Sequence, residues 1–363
     1  MGALHFRHQK RKREITYWRV NFVISQTTDS FENGGKMFKL KTFLAILIFS
    51  ISAFSCTKSE AKTGEYVWQN ITKSAQFPQN YNFPVFIVKG EMLALNQGGW
   101  LSKDGKTWTK TTLPESGLNS AYQKYVQFGG AIYSLGAMQG NYLDFTLDTK
   151  ILRTKDGKTW ETLAEKSNLP NRVFYGLTVF NDKIWLIGGF DGKKYYNDIW
   201  NSSDGVNWTR VAEKTAWSER NVTKIIVFKD QIWLIGGGVI DGDKVNNPNS
   251  ESEIWSSTDG INWAKSKTNA TNKIAGTPVV FDEKLWLVGA NRNDGNFANA
   301  VLCSDDGENF REISAPWSPR GGTVVWVFDG KLFMTGGKYS FTEKGEIKFV
   351  YSNDVWAMSK KTE

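Results

Sequence analysis

A seven-residue phrase, Ser/Thr-x-Asp-Gly-x-x-Trp/Phe, returns five times in this chain at nearly even intervals and constrains the fold more than any other feature. Its copies are anchored at Ser102, Asp104, Gly105 and Trp108; at Thr154, Asp156, Gly157 and Trp160; at Ser202, Asp204, Gly205 and Trp208; at Ser257, Asp259, Gly260 and Trp263; and at Ser304, Asp306, Gly307 and Phe310. Successive Asp residues lie 52, 48, 55 and 47 positions apart. A period of that size, made of short strands and Gly turns, predicts a radially repeated all-β architecture in which no unit buries its own apolar faces alone.

A second phrase sets the register inside each unit. Val179-Phe180-Asn-Asp-Lys-Ile184-Trp185-Leu-Ile-Gly188-Gly189 recurs as Val227-Phe228-Lys-Asp-Gln-Ile232-Trp233-Leu-Ile-Gly236-Gly237, with weaker copies at 128–137, 281–290 and 328–337 and the most divergent at 88–97. After a variable loop come Asn197-Asp-Ile-Trp200, Ser252-Glu-Ile-Trp255 or Asn353-Asp-Val-Trp356, and then the Asp-Gly phrase. Each unit therefore reads as four strands a to d: a turn joins a to b, a loop follows the glycines, and the Asp-Gly turn joins c to d.

Paired glycines, a Trp after Asn-Asp-Ile/Val and a closing Trp resemble the kelch family of β-propellers over residues 64–358. Asn96-Gln97 replaces the glycine pair in the first unit, and Gly136-Ala137 and Gly289-Ala290 soften it in two others. The Asp-Gly phrase also resembles the Asp-box of sialidase propellers, one residue shorter between Asp and Trp. The resemblance implies an all-β, six-bladed propeller with four-stranded blades. The last unit lacks an outer strand, and Gly64-Glu-Tyr-Val-Trp68-Gln-Asn-Ile71 matches one. The ring is expected to close by this N-terminal outer strand joining the C-terminal three, which leaves no free edge.

Charge and histidine usage exclude several function classes. The chain has 45 Lys and Arg against 37 Asp and Glu, yet the first 56 residues hold nine basic and three acidic residues, leaving 36 against 34 in the remainder. A nucleic-acid partner is not expected from a near-neutral body. From Met37, a Lys39/Lys41 head, an apolar run over 42–54 and the Ser55-Cys56 junction read as a secretory signal, too short to span a bilayer comfortably. The junction resembles a bacterial lipoprotein signal, although Phe54 is bulkier than usual. The expected organisation is an upstream extension over 1–36, a lipoprotein-type signal over 37–56 with Cys56 lipidated, a linker over 57–63, the propeller over 64–358 and a tail over 359–363. The expected location is the cell envelope, as an outer-membrane or surface lipoprotein, or outside the cell as a secreted protein if Cys56 is not lipidated. Cys303, the one other cysteine, reads as a buried small hydrophobe. Both histidines, His5 and His8, precede the cleavage point. His-ligated metal sites and imidazole-based catalysis are thereby excluded from the mature body, and neither cofactor nor metal is expected.

The Asp-Gly turns crowd one face of such a ring and the variable b–c loops the other, where binding concentrates. Eight residues before strand a's register residue stand Asn80, Ser120, Arg172, Arg220, Lys273 and Arg320. Two readings stay open for these cations. They are structural groups bonding loop carbonyls, or Arg172, Arg220, Lys273 and Arg320 converge on an anionic ligand, with Trp217 and Trp317 offering flat faces to a sugar or peptide. Tyr195, Tyr196 and Tyr339 could add further faces, and the Asp241-Gly-Asp243 loop lacks full calcium-loop spacing. Galactose oxidase, a relative implied by the resemblance, needs His for its copper and is excluded. A relative of sialic-acid mutarotase type would need Glu219, Tyr175 or another carboxylate as acid and base. The leading expectation is a monomeric, non-enzymatic module that binds a glycan, peptide or envelope protein. A carbohydrate-active enzyme and an envelope scaffold or adhesion protein are the alternatives.

Overall fold

The computed structural model describes residues 65–113, 123–140, 145–222, 224–241, 244–246, 253–270, 276–291, 297–344 and 346–361. The signal segment, Cys56, the linker 57–63, Ser120 and Lys273 lie outside them. Among the described residues every regular element is a strand, and six four-stranded antiparallel sheets form the blades of a ring. In order a to d, blade 1 is Val85–Val88, Glu91–Leu95, Gly99–Ser102 and Thr109–Thr111. Blade 2 is Lys124–Phe128, Ala131–Gly140, Phe145–Thr154 and Glu161–Ala164. Blade 3 is Gly176–Phe180, Lys183–Phe190, Tyr195–Ser202 and Thr209–Ala212. Blade 4 is Ile225–Phe228, Gln231–Ile235, Ile254–Ser257 and Ala264–Lys265. Blade 5 is Thr277–Phe281, Lys284–Asn291, Phe297–Ser304 and Phe310–Ser314.

Blade 6 combines Val324–Phe328, Lys331–Thr335 and Val355–Lys360 with the N-terminal strand Tyr66–Thr72, which pairs from Tyr66 opposite Lys360 to Thr72 opposite Val355. The expected closure is thus present, and strand c of this blade runs to Lys360, past the expected end at 358. Strands a of neighbouring blades touch one another, so they are the innermost. Separate two-stranded hairpins rise from the b–c connections of blade 4 (Val239–Asp241 with Lys244–Asn246) and blade 6 (Lys338–Glu343 with Glu346–Tyr351).

Cores form between blades because each sheet buries both faces. Val126, Tyr133 and Leu135 of blade 2 pack with Ile184, Leu186 and Trp208 of blade 3, and the other junctions repeat this pattern. The Asp-Gly turn is the joint. In blade 3, Asp204 Oδ1 accepts from the amides of Val206 and Asn207 at 2.8 and 2.7 Å, while Ser202 Oγ accepts from Gly205 at 2.8 Å. This holds Gly205 at φ 79° beneath the Tyr133 ring of blade 2, where an added Cβ would lie 2.8 Å from the ring. The same seat repeats as Gly105 under Phe333, Gly157 under Leu93, Gly260 under Trp185 and Gly307 under Trp233. All five covering residues occupy the third position of strand b in the preceding blade. At the remaining junction, where blade 6 has no Asp-Gly turn, Tyr66 packs edge-on against Trp286, with ring centroids 4.9 Å apart, and donates its hydroxyl to Asp282.

Two outcomes are expected. Gly205→Ala adds a left-handed backbone penalty to overpacking against Tyr133 and should cost about 2–4 kcal/mol in denaturant melts; a loss below about 0.5 kcal/mol would show that the joint is not tight. Acid should also loosen the ring. Amide donation from Thr159 and Lys158 holds the Asp156 carboxyl down to about 2. At Asp204 and Asp259 burial opposes ionisation, but hydrogen bonds from Asn207 and Asn262 outweigh it and hold both at about 2. Lowered carboxyls contribute stability that is present above the unfolded value of 3.8 and lost as pH falls toward 2. The melting temperature should therefore fall between about pH 4 and pH 2, and Asp204→Asn should shrink that slope.

Candidate functional site

The loop face is built on a lock repeated in three blades. Arg320, in the loop entering blade 6, donates from Nη1 to Asp354 Oδ1 at 2.5 Å and from Nη2 to Asp354 Oδ2 at 3.2 Å, and its Nη1 also reaches the Gly336 carbonyl at 3.4 Å. The Trp356 indole donates to the same carboxylate at 2.8 Å. Arg172 repeats this with Asp198 at 2.6 and 3.2 Å, the Gly188 carbonyl at 3.1 Å and Trp200 on the carboxylate at 2.8 Å. Arg220 repeats it with Glu253 at 2.9 Å, the Gly236 carbonyl at 3.3 Å and Trp255 at 3.1 Å. Burial raises the Glu253 carboxyl, but hydrogen bonds from Lys265 and Arg220 prevail and hold it below the ordinary range.

These geometries explain three sequence signals together. The glycine pair is needed because the guanidinium loop crosses strand b closely: a Cβ on Gly337 would meet Arg320 Cδ at 3.0 Å, and one on Gly237 would meet the Asn221 carbonyl at 2.2 Å. The acid before Ile/Val-Trp supplies the counter-charge, and the Trp shares it. Blades 1, 2 and 5 lack the Arg, and at the acid's register they carry Gly98, Lys150 and Ala300. Arg and acid are present together and absent together. The pairing is legible in the chain as a second repeated position, the acid that accompanies each Arg.

The three described guanidiniums therefore have partners within their own blades, with side-chain exposures of 6% for Arg172, 1% for Arg220 and 4% for Arg320. The open choice at this register falls on the structural side for these three, while Lys273 lies outside the described residues. Trp217 and Trp317 need a plain correction: both are buried, at 1% and 3% exposure, and offer no face to a sugar. Trp217 packs edge-on against the closing Trp263, and Trp317 against Trp68, with centroids 6.1 and 4.5 Å apart. They stand three residues before the register position, where Phe77 and Leu169 plug the same gap against Trp108 and Trp208. Tyr175, considered as an acid or base, is buried with its hydroxyl donating to the Leu135 carbonyl at 2.8 Å, and burial pushes its pKa up. Tyr196 stacks under Arg172 at 3.9 Å and donates to Asp191 at 2.6 Å. Among the described residues no group of three or more His, Cys, Asp or Glu is placed to hold a metal ion, and Asp243 lies outside them.

Uncommitted chemistry on this face resides in lysines that the register did not single out. Lys338 opens the blade 6 hairpin, its ammonium 4.6 Å from the Tyr81 ring centroid and 4.9 Å from that of Phe349. Tyr81 stacks on Tyr351 at 5.6 Å, and Phe349 is 49% exposed. Burial lowers the Lys338 pKa, and no described carboxylate offsets it. Arg320 holds this group in place: the next residue, Gly321, exchanges backbone hydrogen bonds with Lys338 at 2.9 and 2.8 Å, and Gly337 donates to the Asn80 carbonyl at 3.0 Å. Lys124 is a second case. It begins the innermost strand of blade 2, half-buried, and desolvation alone pushes its ammonium down to about 8.

Comparison with known proteins agrees with this architecture. Residues 171–201, which span blade 3 from the Arg172 loop to strand c, match the family model described as Kelch motif. No curated protein matches the chain in sequence. The solved structure titled "Structure of YjhT" superposes with a TM-score of 0.58 at 13% identity, covering 78% of this chain and 100% of that one. At that identity the likeness concerns the fold alone. The described residues form a six-bladed β-propeller, one blade of which matches the Kelch motif.

Removing one half of a buried lock should destabilise strongly. Arg320→Met leaves Asp354 uncompensated and should cost about 3–5 kcal/mol in denaturant melts, whereas Arg320→Met with Asp354→Leu should recover much of it. A single variant as stable as the parent would show that the guanidinium is not part of the frame.

Proposed function

We propose that the protein is an envelope-located, lipid-anchored binding module that takes an anionic glycan or peptide on the loop face of its propeller. One observation carries this reading. Lys338 is held desolvated between the rings of Tyr81 and Phe349, with no described carboxylate within ion-pair distance. A partly desolvated ammonium without a described counter-ion is unfavourable, and an acidic ligand group supplies the missing partner. The exposed Phe349 face beside it suits the apolar face of a sugar ring or a peptide side chain. Rigid framing supports the reading, because the Arg320 lock and the Gly321–Lys338 bridge fix the base of the hairpin before any ligand arrives.

The register cations contribute indirectly here. Arg172, Arg220 and Arg320 support the loops, and the ligand charge is met by lysine. A glycan and peptide array probed with the full-length protein tests this. Acidic ligands should be retained over their neutral counterparts, and Lys338→Met and Phe349→Ala should each weaken binding about tenfold, roughly 1.4 kcal/mol, without lowering the melting temperature. Absence of any acidic ligand, or equal binding by both variants, would sink the reading.

A further inference from the structure

The rim of the loop face is uneven, and its lowest point is blade 1. Strand b of that blade has five residues and joins strand c through Asn96, Gln97 and Gly98 alone. Strand b has ten residues in blade 2 and eight in blades 3 and 5, while blades 4 and 6 raise hairpins of their own. The blade 2 hairpin packs toward blade 3, where Phe145 lies 6.5 Å from Phe190 and a Cβ on Gly192 would meet its ring at 3.0 Å. Blade 1 is thus a notch between the hairpins of blades 6 and 2. Two cation–ring groups stand at this notch. Lys338 with Tyr81 and Phe349 is the inner one. Farther out, Lys110 of strand d lies 6.0 Å from the ring of Trp100, its cross-strand partner in strand c. Trp100 packs partly against the core shared by blades 6 and 1, so this pair faces blade 6. A Cβ on Gly98 would sit 3.6 Å from Lys110 and 3.7 Å from Trp100, which places both beside the loop-face turn. Neutral amides lie between the two groups. Asn80 donates to Asn96 Oδ1 at 2.8 Å, Asn96 donates to the Pro78 carbonyl at 2.7 Å, and Gln79 is exposed beside them. Among the described residues this path carries no carboxylate. From Lys73 to Gly140 the described acids are Glu91 and Asp104, both at turns of the opposite face. On the blade 6 hairpin, Glu343 and Glu346 close the tip, five positions from Lys338 and roughly 17 Å along the strand. Three of the flanking acids pair elsewhere: Glu91 with Lys103, Glu343 with Lys348 and Asp354 with Arg320.

We propose that the ligand of the Lys338 site is an extended acidic polysaccharide, whose further sugars run outward through the notch over blade 1 to Lys110 and Trp100. The proposal rests on the preceding reading and adds the ligand's class and length. Strand d of blade 1 lies two strand spacings, roughly 10 Å, from strand b, where Asn96 holds Asn80 and so the start of the Tyr81 group. Two cations separated in this way, with neutral amides between them, match a chain of repeated charge better than a single acid group. A ring accompanies each cation, Phe349 at one end and Trp100 at the other, and such faces suit pyranose rings. An extended peptide is the poorer match, because it draws affinity from free main-chain groups. Along this path those groups are already paired: Lys338 with Gly321, Asn80 with Ser352 and Gly337, and Asn82 with Gly322. The second contact acts through effective concentration, so only a chain that reaches both groups gains from it.

The test is calorimetric titration of the full-length protein with galacturonate and with its α-1,4-linked tetramer. The tetramer should bind about tenfold more tightly than the monomer. Lys110→Glu should bring the tetramer to within about twofold of the monomer and leave monomer binding unchanged. Lys106→Glu makes the same change of charge on the turn face of the same blade and should leave the gain intact. Both lysines are exposed, and a thermal melt checks that the fold is kept. Lys338→Met should weaken both probes. Three results would overturn the proposal and leave the Lys338 site standing: a bound monomer with no gain for the tetramer, a gain that survives Lys110→Glu, or a gain that Lys106→Glu removes equally. Glutamate and tetraglutamate test the peptide alternative. An equal gain there, lost in Lys110→Glu, overturns the assignment to a polysaccharide. If neither galacturonate probe binds, this proposal falls, and the glycan and peptide array judges the reading beneath it.

Discussion

Everything in this ring depends on a glycine pressed under its neighbour's strand b. Five times the Asp-Gly turn places a residue without a side chain against a ring or leucine of the preceding blade, closer than any Cβ could come. Two requirements meet at that position, a positive φ and an absent side chain, and glycine alone satisfies both. The carboxylate and hydroxyl before it fasten the turn, so the joint is rigid before the blades meet. Because each blade buries its faces only against its neighbours, this joint converts a string of marginal sheets into one closed core. The sixth junction lacks the turn, and there Tyr66 fills the space over Trp286 and ties to Asp282.

Much of this was legible in the sequence because the physics is periodic. A turn that must be Asp-Gly at every joint leaves a repeated letter pattern, and the match of Tyr66 and Trp68 to an outer strand revealed the closure. The loop face was less legible for the opposite reason. Its cations also recur, and recurrence alone does not tell a ligand cradle from a frame. The distinction lay in a second column, the acid at Asp198, Glu253 and Asp354, which appears only where the Arg does. Lys338 left no periodic trace, since its environment comes from Tyr81, 257 positions earlier in the chain, and from a hairpin unlike those of the other blades. Trp217 and Trp317 misled because large aromatics suit both a sugar platform and a plug, and only packing distinguishes them.

The locks and the Lys338 group show why a frame and a site sit side by side. A guanidinium with a bidentate carboxylate, a carbonyl and an indole sharing the charge has its bonding satisfied internally. Such a group contributes geometry, here the position of the hairpin base. A partly desolvated ammonium over two rings keeps its three donors available to a ligand acceptor. Arg320 immediately precedes Gly321, whose backbone bridges to Lys338, so a ligand at the lysine would feel damage to the lock without touching it.

The two faces then have complementary roles that follow from the direction of the chain. Each blade must turn sharply between a and b and between c and d, and those short connections are fixed by the joints, so the face they form can vary only in exposed charge. The b–c and d–a connections carry no joint, so hairpins of unlike length and sequence can grow there without disturbing the ring. Entry of the chain at the turn face gives that division a direction. The invariant face is the one at which the described chain enters at Tyr66, and the variable face, with Lys338 and the exposed Phe349 ring, lies on the other side of the ring.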